Sequence, residues 1–152
     1  AHRGFGGVTS FLLWGGTFVN ADYYHDRLLA MEFVVHEITH GTLFALSAAE
    51  PIVRNPLHER YASPLRSDPR PMDGIFHATM VCGRLALFYD RLEQSDYSRE
   101  FNSQRLKDKR EGFHAKFVDG EQTVVKHADL SGAGQALFEQ AREAVRTIKV
   151  RP

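Results

Sequence analysis

The run His36-Glu37-Ile38-Thr39-His40 has residue types and spacing suited to holding a metal ion. Two histidines four apart on a helix differ by about 40° of rotation, so both rings leave one face about a turn apart. They can share one ion. Glu37, turned about 100° from His36, can reach a metal-bound water or orient a neighbour without ligating. In a zinc hydrolase it would be the general base. The flanks are Phe33, Val34, Val35, Leu43 and Phe44, and two unliganded imidazoles would be costly to bury among them.

A catalytic metal normally takes three protein ligands and keeps positions open. The candidates for the third are Glu50, His58, Asp73 and His77. The elongated metzincin pattern is absent, since residues 42–48 hold neither glycine nor histidine. His77 is preferred because it falls in the first turn of a second helix, between Phe76 and Met80, with Asp73 and Glu50 kept as alternatives. Arg84 follows His77 by seven residues, which puts it within about 20° of the same face and about 10 Å along the axis. Its neighbours Val81, Cys82, Leu85 and Leu87 are apolar, and an arginine buried there needs an anion. That anion is either Glu37 or Asp90 in a salt bridge, or the carboxylate of a co-substrate whose other end chelates the metal.

The elements that must position these residues are mainly helical, with a minor strand component. Residues 10–18 (SFLLWGGTF) suggest a short strand or hairpin with a bend at Gly15-Gly16. Asn20 or Asp22 caps a long helix over residues 23–48, with apolar and histidine positions at helical spacing from Leu29 to Phe44. Pro51 ends it, and Pro56, Pro64, Pro69 and Pro71 mark a loop of a length that is usually functional or disordered. Asp73 caps a second helix over 74–92, packed on the first. Ser95 or Asp96 opens a third, more polar helix toward Lys116. A turn at Asp119-Gly120, a short strand over 123–125 and a last amphipathic helix capped by Ser131 and running through Ile148 complete the reading.

With 152 residues, 43% hydrophobic, the chain can bury the core of a single domain. Nineteen basic residues balance nineteen acidic ones, so no overall field draws it to nucleic acid or a membrane surface. No apolar run approaches the roughly 20 residues of a membrane helix. The only cysteine, Cys82, excludes an internal disulfide framework and fits a reducing compartment, so a cytoplasmic location is expected. The start at Ala1 and the loop-like residues 2–7 give the expectation of a piece of a longer chain.

Two stretches, FVVHEITHGTLFALSAAEP and YASPLRSDPRPMDGIFHATMVCGRLALFYDRL, roughly residues 33–92, resemble the HExxH-type peptide β-hydroxylases that modify ribosomally made peptides. The second stretch is the more specific, because zinc peptidases share the HExxH core. The resemblance covers under half the chain. It implies iron(II) at His36 and His40 with a downstream ligand assigned to His77, and 2-oxoglutarate as co-substrate. Arg84, or Arg66 or Arg70 of the proline-rich loop, would pair with its distal carboxylate. A peptide side chain would be hydroxylated at its β-carbon as 2-oxoglutarate becomes succinate, with Glu37 an orienting residue rather than a base. The competing classes are a zinc metallopeptidase using Glu37 as general base and a binding module with a structural metal. The arginine in register with His77 and the arginines of the loop favour the oxygenase, since hydrolysis has no need of them.

Overall fold

A computed structural model describes residues 7–9, 16–20, 25–63 and 67–148. The fold is mainly helical. A two-stranded antiparallel hairpin, β1 (Gly7–Thr9) with β2 (Thr17–Val19), pairs Val8 with Phe18 and rests on the first helix. The rest of the predicted strand, residues 10–15, lies outside the described residues.

Four α-helices follow: α1 (Arg27–Ser47), α2 (Met72–Gln94), α3 (Ser103–His127) and α4 (Gly132–Arg146). The central one is α2, in contact with each of the others. Its buried residues, among them Met72, Phe76, Met80, Leu85 and Tyr89, lie all round its axis, as a helix enclosed by neighbours requires. Contacts of His40 with His77, Glu32 with Tyr89 and Leu28 with Leu92 run in opposite senses along the two chains, so α1 is antiparallel to α2. Phe117 closes on Gly83, and Phe138 meets the ring of Phe76, setting α3 and α4 against the opposite side. Cys82 is fully buried there, and desolvation pushes its thiol up to about 12, so it is an inert core residue.

Several boundaries differ from the sequence expectation. The cap of α1 is Asp26, whose carboxylate accepts from the Leu29 amide at 3.0 Å, so the helix starts at Arg27 rather than residue 23. Asp73 does not cap α2; Pro71 holds that position without a side-chain bond, and Asp73 stands in the first turn. Ser95 precedes a 3-10 turn over Asp96–Glu100, and α3 begins after Asn102, whose side chain accepts from the Arg105 amide at 2.9 Å. That helix continues through both the expected turn at Asp119-Gly120 and the expected strand at 123–125. Gly120 and Val124 are buried on the face already used by Leu106, Arg110 and Phe117, and this packing overrides the local turn signal. Ser131 caps α4 as expected, accepting from the Gly134 amide at 3.1 Å.

Gly83 lets α2 pack closely on α3. A Cβ there would lie 2.8 Å from the Phe117 ring and 3.3 Å from Val145. Gly83→Ala gains about 1 kcal/mol of helix propensity but overpacks a filled site at about 1–3 kcal/mol. The expected net result is a thermal midpoint several degrees lower; an unchanged or raised midpoint would show that Phe117 yields freely.

Candidate metal centre

α1 and α2 each present histidine to their shared seam. His36 and His40 lie on one side of α1, with Nε2 atoms 3.2 Å apart, and His77 reaches across from α2 with Nδ1 3.2 Å from Nδ1 of His40. The three open onto one cavity of about 340 Å³, whose wall also includes Phe44, Ser63, Arg70 and Asp73. The loop of residues 48–71 supplies Arg70 through an antiparallel bridge in which Tyr61 and Arg70 exchange amide–carbonyl bonds of 2.9 Å each. Its other end is fixed to the α3–α4 turn, where Val53 pairs with Leu130 and Asn55 bonds the His127 carbonyl and the Asp129 amide.

The donor chemistry suits a divalent metal. All three imidazoles are held below the usual histidine range, the neutral state a ligand needs, and burial is the first cause in each case. His40 is taken down to about 4, with the neighbouring His36 and His77 adding to the effect. The carboxylates of Glu37 and Glu32 oppose it at His36, and Asp73 opposes it at His77. Two nitrogens about 2.1 Å from one ion, at right-angled to tetrahedral spacing, are separated by about 3.0–3.4 Å, which the His36–His40 pair matches.

As they stand, the rings form a chain and not a triangle. His40 offers Nε2 to His36 and Nδ1 to His77, and among the described residues no three His, Cys, Asp or Glu donors form a metal-holding group. One proton in each contact satisfies the chain without an ion. An ion shared by all three would need His77 in a different arrangement from this chain.

No family model matches the chain, and no curated protein matches it. The resemblance carried by residues 33–92 therefore rests on its motifs alone.

The remaining expected site residues divide sharply. Asp73 lines the cavity, with Oδ1 3.8 Å from His77 Nε2, and stays a candidate ligand. Glu50 and His58 are exposed and outside it. Glu37 is buried but is not among the residues lining the cavity. Arg84, two turns beyond His77, is exposed and opens onto the next cavity along the seam, so the expectation that it faces the metal is not met. Arg66 lies outside the described residues. Arg70 is the arginine in the cavity wall. Its Nε lies 2.8 Å from an Asp68 carboxylate oxygen, yet the N–H is not aimed at it, and this buried nitrogen has no hydrogen-bond partner. Phe44 and Ser63 are wall residues that the sequence reading missed. Phe44 was signalled by its place one turn after His40, and its ring lies 5.2 Å from that of His77. Nothing local marked Ser63.

Burial of neutral imidazoles carries a pH dependence. Because the folded state holds these histidines below the ordinary imidazole value of 6.5, the unfolded chain takes up protons that the folded chain refuses. Their stabilising contribution is full above pH about 6.5 and is lost as pH falls below it, for His40 down to about 4. The metal-free protein should show a falling urea midpoint across that window, and His40→Gln should flatten part of the slope. Asp26, held low by its bond to Arg105, adds its own loss only below about 4. A midpoint flat between pH about 6.5 and 4.5 would contradict the burial of neutral histidines.

Proposed function

We propose that the chain is an iron(II)- and 2-oxoglutarate-dependent oxygenase that hydroxylates the β-carbon of a residue in a ribosomally made peptide. The observation that carries this reading is the sharing of one cavity by three neutral imidazoles and the guanidinium of Arg70, whose charge partner, Asp68, is largely exposed. A metal alone has no use for a cation beside it. A metal that must also hold a dianionic co-substrate does.

His36 and His40 hold the iron, and His77 or Asp73 completes the protein's share of the ligands. When bound, iron and 2-oxoglutarate supply the oxidising chemistry, in which succinate and carbon dioxide form as one oxygen atom enters a C–H bond. Arg70 takes the distal carboxylate of the co-substrate and so fixes its direction in the cavity. Phe44 and Val81 keep the wall apolar and limit water. Glu37, behind the His36 ring, acts on it through charge rather than on a substrate. At about 340 Å³ the cavity is at the small end of ligand sites, enough for a short dicarboxylate and one side chain. The reading puts the enzyme in the cytoplasm with its peptide. Among the described residues no helix is long and apolar enough to cross a membrane.

The test is succinate formation from 2-oxoglutarate by the anaerobically iron-loaded protein once air is admitted. Succinate is expected, with Glu37→Gln retaining metal. If instead the zinc form cleaves peptides, Glu37→Gln abolishes the cleavage and no succinate is ever seen, the hydrolase class takes its place.

A further inference from the structure

A second cavity, of about 540 Å³ and separate from the histidine cavity, lies between α1 and α2, bordered by residues that are near neighbours in sequence of those lining the first. Val35, next to His36, forms its α1 wall; on α2 it begins at Arg84, one turn beyond Val81 of the first cavity. Its floor is apolar, made by Leu87, Phe88 and Leu92. Arg84 and Arg91 stand exposed at its rim, and no acidic residue is among those that line it.

Several arginines elsewhere in the fold are held by carboxylates. Arg27 pairs with Glu100, Arg105 with Asp26, Arg110 with Glu93 and Arg142 with Glu121, each at 2.8 Å or less. Arg84 and Arg91 form no ion pair among the described residues. The neighbouring carboxylates of α2 are engaged elsewhere, Asp90 with Gln94 and Glu93 with Arg110. Seven residues of helix set the two guanidinium stems about 10 Å apart. A peptide in the polyproline II conformation, with three residues per turn and a rise of about 3.1 Å, puts side chains three residues apart on one side at close to that spacing.

We propose that this groove docks a segment of the peptide substrate carrying two carboxylates about three residues apart with apolar side chains between them. The inference rests on the oxygenase reading for the identity of the peptide. The arginines take the carboxylates, the floor takes the apolar side chains, and the segment's next residues lead into the histidine cavity. A concave apolar floor with two cations suits such a segment better than a flat anionic surface.

The experiment measures fluorescence anisotropy of a labelled octapeptide with two glutamates three positions apart and leucines between them, added to the metal-free protein. Binding is expected to weaken at least tenfold when both glutamates become glutamine, when salt is raised to about 0.5 M, and in Arg84→Glu/Arg91→Glu. Arg84→Gln/Arg91→Gln guards against a gross charge effect and should lose nearly as much. Thermal midpoints of these surface variants should match wild type. Equal binding of the glutamine peptide, or no loss in either double variant, overturns the proposal. So does tighter arginine-dependent binding to phosphatidylglycerol vesicles than to the peptide, which makes the groove a membrane contact. The assay uses neither metal nor 2-oxoglutarate: succinate formation without peptide binding sinks the groove alone, and arginine-dependent peptide binding without succinate sinks only the oxygenase reading.

Discussion

His40→Ala is expected to lose divalent metal by at least about a thousandfold in affinity, roughly 4 kcal/mol, while keeping its helical structure. His40 is the middle ring of the chain: one nitrogen faces His36 and the other faces His77, each at 3.2 Å. Its loss removes a ligand and also the group that orients the other two rings. His36→Ala removes an end of the same chain and should cost nearly as much, whereas His58→Ala, on an exposed loop, should cost nothing. The fold should survive because His40 is half-buried beside a cavity, so truncation extends existing space and does not open a void in the core. The measurement is cobalt(II) titration followed by its visible absorption, with circular dichroism as the control. Wild-type affinity in His40→Ala would remove the metal from this seam altogether. Retention in His77→Ala with loss in Asp73→Ala would make the carboxylate the third ligand.

In the anaerobic iron form, Arg70→Ala should raise the 2-oxoglutarate dissociation constant about a hundredfold, close to 2.7 kcal/mol. A charge-assisted bond contributes about 1.5–3 kcal/mol, and Arg70 already sits in the cavity wall, paired only with the carboxylate of Asp68. No partner is abandoned on substitution except Asp68, which is itself largely exposed and well solvated. Arg70→Lys keeps the charge and loses the planar fork, so it should fall between the two. The reading is the metal-to-ligand charge-transfer absorption as co-substrate is added. An unchanged constant in Arg70→Ala together with a raised one in Arg84→Ala would restore Arg84 as the clamp.

The contrast between those arginines shows what the sequence carried and what it did not. Periodicity sets Arg84 two turns beyond His77 on α2, because helical geometry is local. Whether the guanidinium reaches the metal depends on where α1 crosses, and that is a tertiary fact. Arg70 reaches the cavity through a bridge to Tyr61, and two strand-like residues inside a proline-rich loop leave no pattern to read. The histidines were legible because an i, i+4 pair needs only one helix. The third helix was misread at its C-terminal half. Leu106, Arg110, Phe113, Phe117, Gly120 and Val124 recur at helical spacing, but an arginine and a glycine interrupt the apolar signal. Arg110 is buried with Glu93 of α2 meeting it at 2.8 Å, and Gly120 is buried on the same face of α3. Both are facts about a neighbour.

His40 and His77 are 37 residues apart, joined by a loop that closes only when α1 lies against α2. Leu43 enters the main core and Leu28 packs with Tyr89, Leu92 and Leu106, but α1 meets the bundle at fewer places than α2 and α3 meet each other. A partial opening that lifts α1 away therefore costs less than global unfolding, since α2, α3 and α4 keep their mutual core. In that opened form the site has ceased to exist although most of the helix content remains. The centre is thus as durable as one helix's docking, and its lifetime on warming is set by that sub-global event and not by the melting of the whole protein.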